Sequence, residues 1–233
     1  MSVILNIETS TTVCSVTLSS DGKPVAGRVS YTGPSHASLL SVFIQQIMAE
    51  TTADYPCPDA VAVSCGPGSY TGLRIGVSTA KGLCYGWGVP LIAVNTLQLL
   101  ACGLLAGHEL PEDALLCPMI DARRMEVYTA VYDRKLELVK PVSAKIIDEN
   151  SYNDLLDKQQ VCFFGNGAAK CRSAIMHPNA LFFEGVEPLA DNMIALSEAA
   201  FRAQRFEDTA YFEPFYLKEF VATVPKVKIP GLA

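Results

Sequence analysis

The sequence predicts an α/β protein of two lobes, and three observations carry that prediction. Strand-like segments followed by helical ones occur in one order near the start and begin again after residue 113. In both halves the opening apolar strand ends in an acid, Glu8 in the first and Asp121 in the second. Between them, a glycine turn feeds a strand directly into a helix, as a crossover in an α/β unit requires.

The elements follow in order. Val3 to Ile7 reads as a buried strand, and Val13 to Leu18 alternates, with Val13, Ser15 and Thr17 on one face. Asp21-Gly22 turns the chain into a third strand, Pro24 to Ser30. A helix from Ser38 to Ala49 gathers Leu39, Leu40, Phe43, Ile44, Ile47 and Met48 on one stripe. A strand at 59–64, a helix from Thr71, a strand at 90–94 and a helix at 96–105 complete a βββαβα half with a final helix. Beyond the 107–113 linker, strands are expected at 114–120 and 126–132, one or two at 136–147, and another at 161–164. Short helices are expected at 150–158 and 167–176, and an amphipathic one at 191–205. The domains read as a first lobe over 1–106, completed by 207–220, a smaller second lobe over 107–206, and a mobile tail over 221–233.

Half the residues are hydrophobic and 18% are charged, which sets the chain in the globular class. No apolar run of about 18 residues occurs, and no basic region precedes the first apolar stretch, so the expectation is a cytosolic protein with no membrane contact. The eight cysteines form no CxxC pair and sit mostly in apolar runs, as reduced core thiols do. A net charge of −6 argues against gripping nucleic acid through an overall basic field.

Ser64 to Gly82, SCGPGSYTGLRIGVSTAKG, is the most unusual stretch. Gly72, Gly76 and Ala80 recur every four residues and leave one helical stripe almost bare. Each glycine costs a helix about 1 kcal/mol relative to alanine, so close approach by another backbone is the expected return. Arg74, Ser78 and Lys81 line the neighbouring polar face. Spacing alone leaves two uses open, a packing surface or a turn whose amides face an anion.

Other chemistry fits poorly. The turn matches neither GxGxxG nor a Walker loop, and Ser69 stands one position from where GxSxG places its nucleophile. Histidines occur only at 36, 108 and 177, never at metal-ligand spacing. His36 precedes a helix, where it either lines a crevice or meets solvent. Glu8, Thr9 and Ser10 begin a hydroxyl-rich turn, and Gly165-Asn166-Gly167 links a strand to a helix. Each reads as a possible nucleotide contact or as an ordinary turn.

Taken together, NIETST at 6–11, CGPGSYTGLRIG at 65–76, AKGL at 80–83, VNTL at 94–97 and IDARRMEVY at 120–128 resemble the TsaB (YeaZ) family, once labelled glycoprotease or M22 peptidase. The resemblance implies the two-lobed actin, hexokinase and Hsp70-like superfold, with ribonuclease H-like units. It also implies a noncatalytic subunit of the bacterial complex that transfers threonylcarbamoyl from threonylcarbamoyl-adenylate to adenosine 37 of tRNAs reading codons that begin with A. The implied partners are the catalytic sibling TsaD and the ATPase TsaE, with a homodimer when alone and tRNA met mainly through the complex.

The HxxxH of the catalytic sibling is missing from VNTLQLLAC at 94–102, so no catalytic residue and no metal ligand is expected here. No cofactor is expected on the isolated chain, while ATP or ADP and a divalent metal are implied for the assembly. The resemblance places the partner interface on the first-lobe helices: Leu39, Phe43, Ile47, Gly72, Arg74, Ile75, Gly76, Ser78, Thr79 and Ala80. Glu8, Thr9, Ser10, Gly165 and Gly167 are the candidates for a vestigial nucleotide site. Glu8 stands where the superfold carries Asp, and its extra methylene moves the carboxylate about 1.5 Å outward. The competing expectation is a free-standing ATPase or small-molecule kinase of the same superfold.

Overall fold

The computed structural model describes residues 1–32 and 36–218. The tail expected over 221–233 lies outside the described residues. Alternating apolar segments pair into two five-stranded sheets. The first contains β1 (Val3–Glu8), β2 (Cys14–Ser20), β3 (Lys23–Ser30), β4 (Ala60–Gly66) and β5 (Leu91–Asn95), in the order β3-β2-β1-β4-β5. The second contains β6 (Leu115–Asp121), β7 (Glu126–Tyr132), β8 (Leu138–Ile146), β9 (Val161–Phe164) and β10 (Ala180–Phe182), in the order β10-β9-β6-β7-β8. Read from β8, the second order repeats the first, and in each sheet two antiparallel pairs precede two parallel ones. The superfold expected from the resemblance is therefore the observed one, and Glu8 and Asp121 both close their sheet's central strand.

The helices are α1 (His36–Thr51), α2 (Tyr70–Trp87), α3 (Thr96–Gly107), α4 (Asn153–Leu156) and α5 (Ala190–Arg202). Asp21 and Gly22 turn between β2 and β3 with φ of 48° and 74°, the left-handed pair of a tight hairpin. Ser69 caps α2 by accepting the Gly72 N–H, and Asn95 caps α3 by accepting those of Leu97 and Gln98. The Ser69 hydroxyl and the asparagine of VNTL thus both serve as helix caps. No helix among the described residues is long and apolar enough to cross a membrane.

Two segments differ from expectation. Only Ala169–Cys171 is helical within 167–176, as a single 3-10 turn, because Gly165 (φ 93°) and Gly167 tie the chain tightly to β6 before a helix can form. The short run Ala180–Phe182, following Pro178 and Asn179, adds an edge strand that was not anticipated.

The long C-terminal helix α5, counted above with the second lobe, packs on the first sheet instead. Met193 and Ala200 join Ile4, Ala62, Ile92, Val94 and Leu99 in one buried cluster. The polar face of β2 explains this placement. Ser15 Oγ accepts the Ala190 N–H at 2.9 Å, and Thr17 Oγ1 donates to the Asp191 carboxylate. Ser197 Oγ donates to Asn6 Oδ1 at 2.6 Å. With α1 and α2 on one face and α3 and α5 on the other, every residue of β1 is buried. After α5 the chain stays on the first lobe: Glu207 N–H donates to Leu91 O, and Phe215 N–H to Cys65 O at 2.7 Å.

Candidate functional site

The first corner of the fold is closed by its own glycine helix. Thr9 Oγ1 donates to Gly72 O at 2.9 Å, and Ser69 N–H donates to Ser10 O at 2.6 Å. A methyl group at Gly68 would collide with the Ser10 carbonyl, at Gly72 with the Thr9 carbonyl, and at Gly76 with Thr9 Oγ1. The start of α2 therefore rests on the backbone of the turn where a phosphate would sit. Glu8, Thr9 and Ser10 are each 0% exposed. Gly165 and Gly167 do the same in the second lobe, where an added Cβ would lie 2.6 Å from Met119 O and 2.9 Å from Ile120 C. The five candidates for a nucleotide site share a packing role.

An interlobe cleft of about 430 Å³ reaches the first corner, with Ser10, Thr11, His36, Ser69 and Gly72 on the first lobe and Asp121 and Asn166 on the second. His36 lines the crevice rather than facing solvent. Its Nε2 lies 2.8 Å from Thr11 O, and a carbonyl only accepts, so Nε2 donates and the buried Nδ1 is left without a partner. Across the cleft Asp121 accepts from Arg123 N–H at 2.9 Å and pairs with Lys170. Burial pushes the Asp121 carboxyl up, but Lys170 and the Arg123 amide outweigh it and hold the group below the usual carboxylate range. Asn166 Oδ1 accepts the Asp121 N–H at 2.9 Å. Nothing in the spacing of Lys170 pointed to this pairing; the signal for Asp121 was its strand-end match to Glu8.

Glu8 is the electrostatic oddity of the first lobe. Burial pushes its carboxyl up to about 7, against the nearby Ser10 and Ser64 hydroxyls and the Ser10 and Thr9 amides, which act to lower it. Oε1 accepts the Ser10 N–H, and Oε2 has no hydrogen-bond partner.

The expected interface residues divide sharply. Gly72, Gly76, Ala80 and Ile47 are buried inside the lobe, so the bare stripe faces the chain's own first turn and is not a partner surface. Leu39, Phe43, Ile75 and Thr79 are half-buried, and Arg74 and Ser78 are exposed. Arg74 stacks over Tyr70 at 5.5 Å, and Tyr70 packs on Tyr216 at 4.8 Å. Lys81 donates to the carbonyls of Ala210 and Phe212. The side of α2 carrying Arg74 and Lys81 thus holds the C-terminal segment.

Beyond Ser78, already among the expected interface residues, the outer side of α2 also carries Gly82 and Gly86, which spacing does not single out. Added Cβ atoms at Gly82 and Gly86 meet nothing within 4 Å. Beside them stand half-buried Leu83 and Tyr85, whose ring is 89% exposed.

A family model described as TsaD, tRNA N6-adenosine threonylcarbamoyltransferase, matches residues 30–226. The tRNA threonylcarbamoyladenosine biosynthesis protein TsaB of Bacillus subtilis is 32% identical over 139 residues, and that of Escherichia coli 36% over 131. These matches take in 60% and 56% of this chain but only 58% and 55% of the two relatives, little more than half their length. The TsaB of Haemophilus influenzae is 26% identical over 242 residues, covering 98% of this chain and 97% of that protein. The solved structure of YeaZ from Pseudomonas aeruginosa superposes with a TM-score of 0.81 at 24% identity, over 93% of this chain and 100% of that one, and shares the fold. With the family model matching most of its length, the chain belongs to the threonylcarbamoyladenosine family that this model describes, in its TsaB (YeaZ) branch.

Proposed function

We propose that the protein is a noncatalytic subunit of the tRNA threonylcarbamoyladenosine machinery, docking a catalytic sibling of the TsaD type through the outer face of α1 and α2. The observation that carries the docking face is the open pair Gly82 and Gly86, where an added Cβ meets nothing within 4 Å. Small residues there admit another helix closely, while Leu39, Phe43, Ile75, Leu83 and the exposed Val42 and Tyr85 supply apolar area around it. In this reading the same face forms a homodimer when the sibling is absent, and the ATPase TsaE and tRNA meet the assembled complex. In the same reading ATP or ADP and a divalent metal belong to the assembly, and the close packing of α2 on the Thr9–Ser10 turn supports this.

A bulky side chain at Gly82 tests the docking face without touching the core. Gly82→Trp should leave the thermal unfolding of the isolated chain within a few degrees of the parent, yet abolish copurification with a coexpressed TsaD-type sibling. A variant that folds normally and still copurifies contradicts the docking face. The kinase or ATPase alternative is tested by ATP calorimetry and phosphate release on the isolated chain, which should show neither tight binding nor turnover.

A further inference from the structure

The end of β1 is more than a packing corner, because one short turn carries the starts of both outer helices. Thr9 and Ser10 hold the first residues of α2, and the Thr11 carbonyl holds His36, the first residue of α1. Beneath that turn lies Glu8, fully buried, with Oε2 unpartnered among hydroxyls. Ser10 and Ser64 stand beside it, and their Oγ atoms likewise have no partner.

The titratable groups that face Glu8 offer no positive charge. Cys14 of β2 and Cys65 of β4 feel its charge, and burial holds their thiols protonated, up to about 11 and about 12. From α2 the turn meets Ser69, Gly72 and Gly76, and from α1 it meets His36, on the far side of Thr11. Among the described residues, no lysine or arginine is among the groups acting on the Glu8 carboxyl. An ionised carboxylate there has the Ser10 N–H on Oε1 but no cation beside it, whereas a protonated one can also donate from Oε2 to a neighbouring hydroxyl.

We propose that Glu8 is a proton-operated latch: as a neutral acid it holds the turn at residues 9–12 against α1 and α2, and its ionisation loosens that turn and the starts of both helices. The latch needs no partner, so it stands or falls apart from the docking reading. An acid whose folded pKa lies above its unfolded value binds its proton more tightly when folded. Stability is therefore lost as pH rises from the unfolded value of 4.5 to about 7, and stays at the lower level above that.

The test is urea unfolding of the full chain and of Glu8→Gln at about pH 5.5 and about pH 8.5, with amide hydrogen exchange on both. The folding constant of the parent should fall roughly 30-fold relative to the variant across that interval, for a pKa rising from 4.5 to about 7. Protection at residues 9–12 and 70–73 should fall with it in the parent and hold in Glu8→Gln. Parallel pH profiles for the two proteins, or protection in that turn independent of Glu8, overturn the latch. Should Glu8→Gln fail to fold, infrared difference spectra of Glu187→Gln give the second reading, since burial also raises Glu187. A buried carboxylic acid band that vanishes between the two pH values supports the latch, and its absence refutes it.

Discussion

Gly72 and Gly82 have the same side chain on the same helix and opposite surroundings. Gly72 presses on the Thr9 carbonyl, while a Cβ at Gly82 meets nothing within 4 Å. Gly72→Ala should therefore destabilise the protein by about 1–3 kcal/mol, the usual cost of overpacking, and lower the melting temperature. Gly82→Ala should raise stability by up to about 1 kcal/mol, because only the entropic cost of a helical glycine is removed. Thermal unfolding of the two variants side by side checks both signs. That α2 approaches another backbone was legible in the four-residue spacing of Gly72, Gly76 and Ala80. Which backbone it approaches was not, because spacing records the absence of side chains and not the identity of the neighbour. The Thr9 turn takes that stripe, and spacing gives no sign that Gly82 and Gly86 stay open, for the same reason.

At the scale of elements, β7 and β9 fall on the residues that alternation and apolar runs predicted, since a strand's pattern is local. The lobe that receives α5 is a different kind of fact. Its amphipathic pattern says that Met193, Ile194 and Ala200 are buried, and both sheets offer an apolar face. The choice is made by polar partners distant in sequence, Ser15, Thr17 and Asn6 on the first sheet. Met193 is 0% exposed in the cluster beneath α5, so Met193→Ala should cost about 2–5 kcal/mol. Chemical denaturation measures this, and the loss should appear in the unfolding of the first lobe. A change confined to the second lobe would contradict the packing of α5.

Across the whole molecule, two copies of one strand order face each other over a cleft, and in the first copy α2 packs directly on the turn that ends β1. The duplicated architecture could be read from two strands ending in acids, but the closed corner could not, because it depends on how near α2 comes to the turn. The outer surface of α1 and α2 is the face with open space at Gly82 and Gly86 and apolar surroundings. The most direct test is coexpression with a TsaD-type sibling, followed by size analysis of the complex and nucleoside analysis of tRNA, for the parent chain and for Gly82→Trp. The parent should coelute with the sibling and support threonylcarbamoyladenosine formation, and the folded variant should do neither. A Gly82→Trp protein that coelutes and sustains the modification would contradict the assignment of this face.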